Sequence, residues 1–394
     1  MNKNDASLAL TVLLGVLIAL TPLGTDAWVP ALPSLGASLG ASVAAAQSTI
    51  TLFFAGIALG QLAWGPVSDR FGRKPALLGG LAMACVATAA GVFASSAGEV
   101  AAARFVQGLG LSCGPVVARS VVRDLYSHEQ AARLLASMTI VFSVVPIAAP
   151  LAGAALLALG GWQAVLAFFS TVSFALLAAV AARLGETAPS ARASIHPASL
   201  ARTFAAILGD RRFLAPFSVM TCGQIGIFAF VSNSAFTLVS GMSLTPTAYS
   251  VLFALTMLGQ ISGAWASRRF VLHLGMAHML RVGAALVLVG GGAAAALAWG
   301  GVAHWSAVVL PFMLFLAGTA LITPNAQAAA LTPFPHSAGA ASSLMGASAF
   351  ALGAVVSALL GVLFDGTPRA MASAAAIGGV GAFLIERLVL RGKG

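Results

Sequence analysis

The chain has 394 residues, of which 59% are hydrophobic and only 8% charged, against ~25% charged in an average soluble domain. So few charges cannot solvate a globular surface, which excludes a soluble enzyme, a nucleic-acid binder and a disordered chain. The net charge of +10 follows from where the arginines sit rather than from an acidic partner. Cys85, Cys113 and Cys222 lie in separate apolar runs and form no metal-ligand or disulfide spacing.

A helix that crosses a bilayer needs ~20 mostly apolar residues, so stretches free of Asp, Glu, Lys and Arg set the number of crossings. In chain order they predict spans near 8–31, 46–68, 75–95 and 99–121. Two more lie within 134–182, separated at Gly160-Gly161-Trp162, and two within 213–267, separated between Gly241 and Pro246. Three lie within 282–364, with turns at Gly300-Gly301 and around Pro333, and a last one covers 368–390. The expectation is an all-α membrane protein with twelve transmembrane helices. The runs are too long and too little alternating for barrel strands. The first is read as a retained span, because its apolar stretch continues to Asp26 and Pro30 without a small-residue cleavage site.

With both termini in the cytoplasm, eighteen of the 20 lysines and arginines fall on the cytoplasmic side, leaving Arg369 outside and Arg104 within a span. This bias fixes the orientation. The longest charged connection, residues 184–212, is expected to be a cytoplasmic linker between two six-helix halves, 1–183 and 213–394. An internal repeat supports the division. Phe54-Ala55, Leu59-Gly60-Gln61, Ser68 and Arg70-Phe71 recur as Phe253-Ala254, Leu258-Gly259-Gln260, Ser267 and Arg269-Phe270 at one constant offset. Parallel repeats with a substrate site between them are a transporter architecture.

Charged groups inside a membrane are costly, so each is a functional candidate. The spans hold Asp26 and Arg104, both placed in the outer half of the N-terminal spans by a rise of ~1.5 Å per residue. They are expected to face one cavity and to interact, Asp26 taking up and releasing a proton and Arg104 setting the balance between its two forms. Polar and aromatic side chains that could meet a small ligand are Trp28, Gln107, Gln224, Phe228, Phe230, Asn233 and Asn325; Gln61 and Gln260, beside the loop motifs, read as structural. No cluster of nucleophile, acid-base or metal ligands lies at membrane depth, and all six histidines fall in or beside loops. An enzyme, a cofactor and a metal are therefore not expected.

The loop after the second span reads Gly65-Pro66-Val67-Ser68-Asp69-Arg70-Phe71-Gly72-Arg73-Lys74. It resembles the signature loop of the major facilitator superfamily at every defined position. Arg104-Phe105-Val106-Gln107-Gly108 is similar to the fourth-span motif of that family's drug:proton antiporters. The stretches 26–33, 119–126, Pro324-Asn325-Ala326-Gln327 and 334–339 resemble the bicyclomycin/chloramphenicol-resistance subfamily. In the fifth span, Ala149-Pro150-Leu151-Ala152-Gly153-Ala154 keeps only Pro150 and Gly153 of the antiporter pattern.

The resemblance implies the major facilitator fold and a monomeric, multi-pass exporter in a bacterial inner membrane. Its partners would be protons, the lipid bilayer and small neutral antibiotics of the chloramphenicol or bicyclomycin type. A small metabolite such as an amino acid or sugar is the alternative cargo. It also implies that Gly65, Asp69, Arg70, Gly72, Arg73 and Asp124 form a cytoplasmic gate. There Asp69 is expected at a helix N-terminus and Arg73 within reach of Asp124.

Overall fold

In the computed structural model of the chain, residues 3–126, 128–188, 197–334 and 337–390 are described. Pro335 and His336 of the 334–339 stretch, and Arg192 and His196 of the linker, lie outside them. Among the described residues every regular element is helical. The first group is α1 (Lys3–Asp26), α2 (Leu32–Ser38), α3 (Val43–Phe71), α4 (Arg73–Val92), α5 (Ala97–Leu111), α6 (Cys113–Leu125) and α7 (His128–Arg183). It is followed by α8 (Pro197–Gly209), α9 (Arg211–Ala235), α10 (Pro246–Leu274), α11 (Met276–Trp299), α12 (Ser306–Leu331), α13 (Ala338–Leu363) and α14 (Arg369–Ile385).

Eleven helical stretches among the described residues are long and apolar enough to cross a membrane. The two spans expected within 134–182 belong to one of them, Val145–Arg183. Its helix is interrupted at Gly160 (φ −163°, ψ 31°) and Gly161 (φ 69°, ψ −168°). Large apolar side chains face outward, with Leu272 90%, Phe93 86% and Leu159 83% exposed. Such surfaces are tolerated where the surroundings are lipid. The chain is a multi-pass membrane protein.

Two compact units divide the chain. One comprises Met1–His196 with Gly346–Ala354, the other Pro197–Met345 with Val355–Gly394. In the first, α3 packs on α5, α4 on α5 and α7, and α1 on α7. In the second, α10 packs on α12, α11 on α12 and α14, and α9 on α14. Each unit repeats one construction at its loop motif. A long helix ends at a glycine of positive φ, Gly72 (φ 108°) or Gly275 (φ 79°), and the next helix starts at once.

Helix starts follow local chemistry. Ser42, Ser96 and Thr245 cap α3, α5 and α10 by accepting from the N–H groups of Ala45, Glu99 and Ala248, as N-cap hydroxyls do. In the second unit, Phe230 lies between Phe253 and Phe312, at ring-centroid distances of 5.4 and 4.9 Å.

Candidate functional site

The first expected span is broken where the candidate acid lies. α1 stops at Asp26, because Pro30 has no N–H to give to the Asp26 carbonyl and its ring crowds that oxygen. The chain continues through a tight turn at Val29–Ala31 before α2. Here Trp28 N–H donates to the Thr25 carbonyl at 3.2 Å and Ala31 N–H to the Trp28 carbonyl at 2.9 Å. Helix α7 approaches this break at Gly153, where a Cβ would collide with the Ala27 carbonyl. Gly153→Val is therefore expected to destabilise the fold by about 1–3 kcal/mol through overpacking. An unchanged melting temperature of the purified variant would show that α7 does not brace the break.

The Asp26 side chain is 7% exposed. Among the described residues its carboxylate has no hydrogen bond, and the ion pairs join Arg73 to Asp69 and Asp124, Arg212 to Asp210 and Arg281 to Glu386. Asp26 and Arg104 are therefore not salt-bridged in this state.

Arg104 is fully buried. Its Nη2 donates to the Gly24 carbonyl at 2.8 Å and its Nη1 to Oε1 of Gln107. The guanidinium lies 3.8 Å from the ring centroid of Phe53, 5.0 Å from that of Trp28 and 5.7 Å from that of Phe169. Aromatic faces attract cations by ~2 kcal/mol or more when desolvated, and here they stand where a carboxylate would be expected. Arg104 Nε and Gln107 Nε2 have no partner. Trp28 donates its Nε1–H to Thr49 Oγ1 at 2.9 Å. Arg104, Gln107 and Trp28 thus converge on one interior point, beside the end of the helix that carries Asp26.

In the second unit Phe230 is consumed by its ring stack. Asn325 spends its amide on Ser267 Oγ at 2.9 Å and the Leu321 carbonyl at 2.8 Å. Asn233 accepts from Thr237 at 3.2 Å while its Nδ2 stays unpaired, Phe228 is buried and Gln224 half-buried.

At the signature loop Arg73 is 8% exposed in its side chain, donating from Nε to Asp124 Oδ2 at 2.9 Å and from Nη1 to Ser68 Oγ at 2.9 Å, and pairing with Asp69. Gly65 joins this cluster through its carbonyl, which accepts from Ser68 Oγ at 2.9 Å, and the exposed Arg70 flanks it in sequence. Asp69 is thus held by Arg73, and the carboxylate at the N-terminus of α4 is instead that of Glu186. It accepts from Arg73 N–H at 2.9 Å and Lys74 N–H at 3.3 Å.

Sequence reasoning passed over three residues. Glu186 fell in the linker. Gln47, fully buried with both amide atoms unpaired, stood at the edge of a span predicted to start at 46; its amide in an apolar helix was the available signal. Glu386 is 3% exposed and pairs with Arg281 at 3.6 Å, so Asp26 is not the only acid buried in a span. A hollow of about 770 Å³ on α4 and α5 is lined by Ala82, Val86, Ala90, Phe93 and Ala103. None of the buried polar residues borders it.

Helical crossings with a broken first span and polar groups buried between helices define a polytopic α-helical membrane protein. The family model of the Major Facilitator Superfamily matches residues 14–358, and the chain belongs to that superfamily. It is a transporter, not an enzyme. It is 28% identical over 361 residues to the bicyclomycin resistance protein homolog of Haemophilus influenzae, covering 91% of this chain and 90% of that one. It is 27% identical to multidrug resistance protein D of Escherichia coli, covering 87% and 86%. The solved D-xylose–proton symporter superposes with a TM-score of 0.75 over 96% of both chains at 15% identity, a likeness of fold alone. These relatives agree with the bicyclomycin/chloramphenicol-resistance group that the loop motifs resemble.

Proposed function

We propose that this chain is a drug:proton antiporter of a bacterial inner membrane, expelling small neutral antibiotics of the chloramphenicol or bicyclomycin type by alternating access. The observation that carries the reading is Asp26, buried at the break of α1, two residues from the Gly24 carbonyl held by Arg104. A carboxyl without a protein partner can exchange its proton without breaking an ion pair. The resistance names of the relatives support a drug as the cargo.

The reading includes twelve crossings, with Gly160-Gly161 counted as a turn between two of them, and both termini in the cytoplasm. The halves are 1–183 and 213–394, joined by the linker 184–212, and the protein works as a monomer. Trp28, Gln107, Gln224, Phe228, Phe230, Asn233 and Asn325 are the candidates for contact with the drug. Gly65, Asp69, Arg70, Gly72, Arg73 and Asp124 form the cytoplasmic gate. Among the described residues Glu386 has a cationic partner and Asp26 has none, which favours one proton per neutral molecule. The electrical gradient supplies ~2.3 kcal/mol per charge per 100 mV; at ordinary potentials one proton then supports roughly two decades of concentration ratio.

Labelled chloramphenicol accumulation in pump-deleted bacteria tests this. Cells expressing the chain are expected to hold less drug than empty-vector cells, with the difference erased by a protonophore. Equal accumulation with expression confirmed, repeated with bicyclomycin, would turn the search to small metabolites.

A further inference from the structure

α4 lacks a cap of its own. Its N-cap position is Gly72, which has no side chain, and the first N–H groups of a helix must find acceptors elsewhere. Glu186, beyond the end of α7, supplies them. Its Oε1 accepts from the main-chain N–H groups of Arg73 at 2.9 Å, Thr187 at 2.9 Å and Ala188 at 2.8 Å, and its Oε2 accepts from Lys74 N–H at 3.3 Å. The contact needs a bare Gly72, because a Cβ there would strike the Glu186 carboxylate. Two further bonds join the same segments: Lys74 Nζ donates to the Ala181 carbonyl at 2.7 Å, and Thr187 Oγ1 donates to Asp124 Oδ2 at 3.5 Å.

The second unit shows what the same construction does without this acid. Gly275 has the same ψ of 159° as Gly72 and no atom lies within 4 Å of a Cβ placed there. Among the described residues no side chain accepts from the first N–H groups of α11. The cap occurs in the unit whose next helix opens with Arg73, the residue that joins Asp69, Ser68 and Asp124.

We propose that Glu186 is a positioning residue of the signature-loop cluster. By gripping the main chain of Arg73 and Lys74 it fixes the direction in which the Arg73 guanidinium leaves α4. It thereby ties the segment entering the linker to the Arg73–Asp124 pair. This rests on the gate reading given above, and the residue acts on transport through Arg73 rather than by touching cargo. The acid is ionised whenever it works. Burial works against the charge, but the N–H groups of Ala188, Arg73, Thr187 and Lys74 outweigh it and hold the carboxyl below its ordinary value. The cap thus contributes in full above the unfolded glutamate's value of 4.5 and is lost as pH falls through the lower folded one.

The test uses the full chain in lipid nanodiscs and in inverted vesicles, with chloramphenicol as the probe. Glu186→Ala is expected to cut turnover per folded pump about five- to ten-fold, the size of a lost cap, with KM unchanged. Glu186→Gln, which keeps an acceptor oxygen, is expected to recover most of the loss. Amide exchange at residues 73–76 should rise in Glu186→Ala and fall back in Glu186→Gln. In an Asp124→Asn background, Glu186→Ala should add little further loss, because the two act as a unit. Faster exchange with unchanged turnover would reduce Glu186 to a structural cap and overturn the proposal; so would unchanged exchange, or losses that multiply. If the wild type shows no gradient-driven efflux, the exporter reading fails and exchange alone decides the matter. A Glu186→Ala effect at 73–76 that vanishes in Asp124→Asn sustains the proposal, and an additive one overturns it.

Discussion

Asp26→Asn is expected to abolish gradient-driven efflux while leaving the protein folded. Asparagine matches the neutral acid in shape, and the carboxylate has no ion pair or hydrogen bond to lose among the described residues. The melting temperature should therefore stay within a few degrees of wild type, as expected where a change removes no partner. What disappears is the proton. A side chain that cannot ionise cannot couple drug exit to proton entry, so cells carrying the variant should accumulate chloramphenicol like empty-vector cells. Their accumulation should also no longer respond to a protonophore. Asp26→Glu keeps the proton on a longer arm and should retain slow, gradient-sensitive export. Wild-type pH dependence in Asp26→Asn would remove Asp26 from the mechanism and turn attention to Glu386, the other buried acid among the described residues.

The helical membrane architecture was legible because bilayer thickness translates directly into runs of uncharged residues. The detail of those runs was not. Hydropathy treats 8–31 as one span, whereas Pro30 stops the helix at Asp26, and that break gives the acid its setting. The separation at Gly160-Gly161 was legible, because paired glycines interrupt an uncharged run, and the backbone there leaves helical geometry between two helices. At the candidate site, Arg104, Gln107 and Trp28 could be named from residue type, and the structure gathers them. Phe53 and Phe169, which complete the cage, were illegible because a phenylalanine in an apolar span carries no mark of its neighbour. The partners of Phe230 and Asn325 were likewise unmarked in the sequence: Phe230 packs against Phe253 and Phe312, and Asn325 donates to Ser267 Oγ and the Leu321 carbonyl. Glu186 escaped notice because a cap supplied from 113 positions away along the chain leaves no local pattern.

Arg104 should separate stability from function. A guanidinium in a fully buried cage, with one unpaired nitrogen and no carboxylate, is a costly group to hold in the interior. Replacing buried charges by apolar groups of similar volume is often neutral or stabilising by ~1–4 kcal/mol. Arg104→Met is therefore expected to melt no lower than wild type and yet to lose efflux. Arg104→Lys keeps the charge, but an ammonium cannot lie flat against Phe53 while also bonding the Gly24 carbonyl and Gln107. Losing one charge-assisted hydrogen bond of ~1.5–3 kcal/mol predicts a fall in turnover of about ten- to a hundred-fold. Purified variants would be compared by thermal melting and by chloramphenicol transport in vesicles with an imposed proton gradient. If Arg104→Met fails to fold while Arg104→Lys transports normally, the arginine only ties α5 to the end of α1. If Met folds and both variants fail to transport, the cage has been kept for transport at the expense of stability. That outcome is what a lone interior cation beside an unpaired acid leads one to expect.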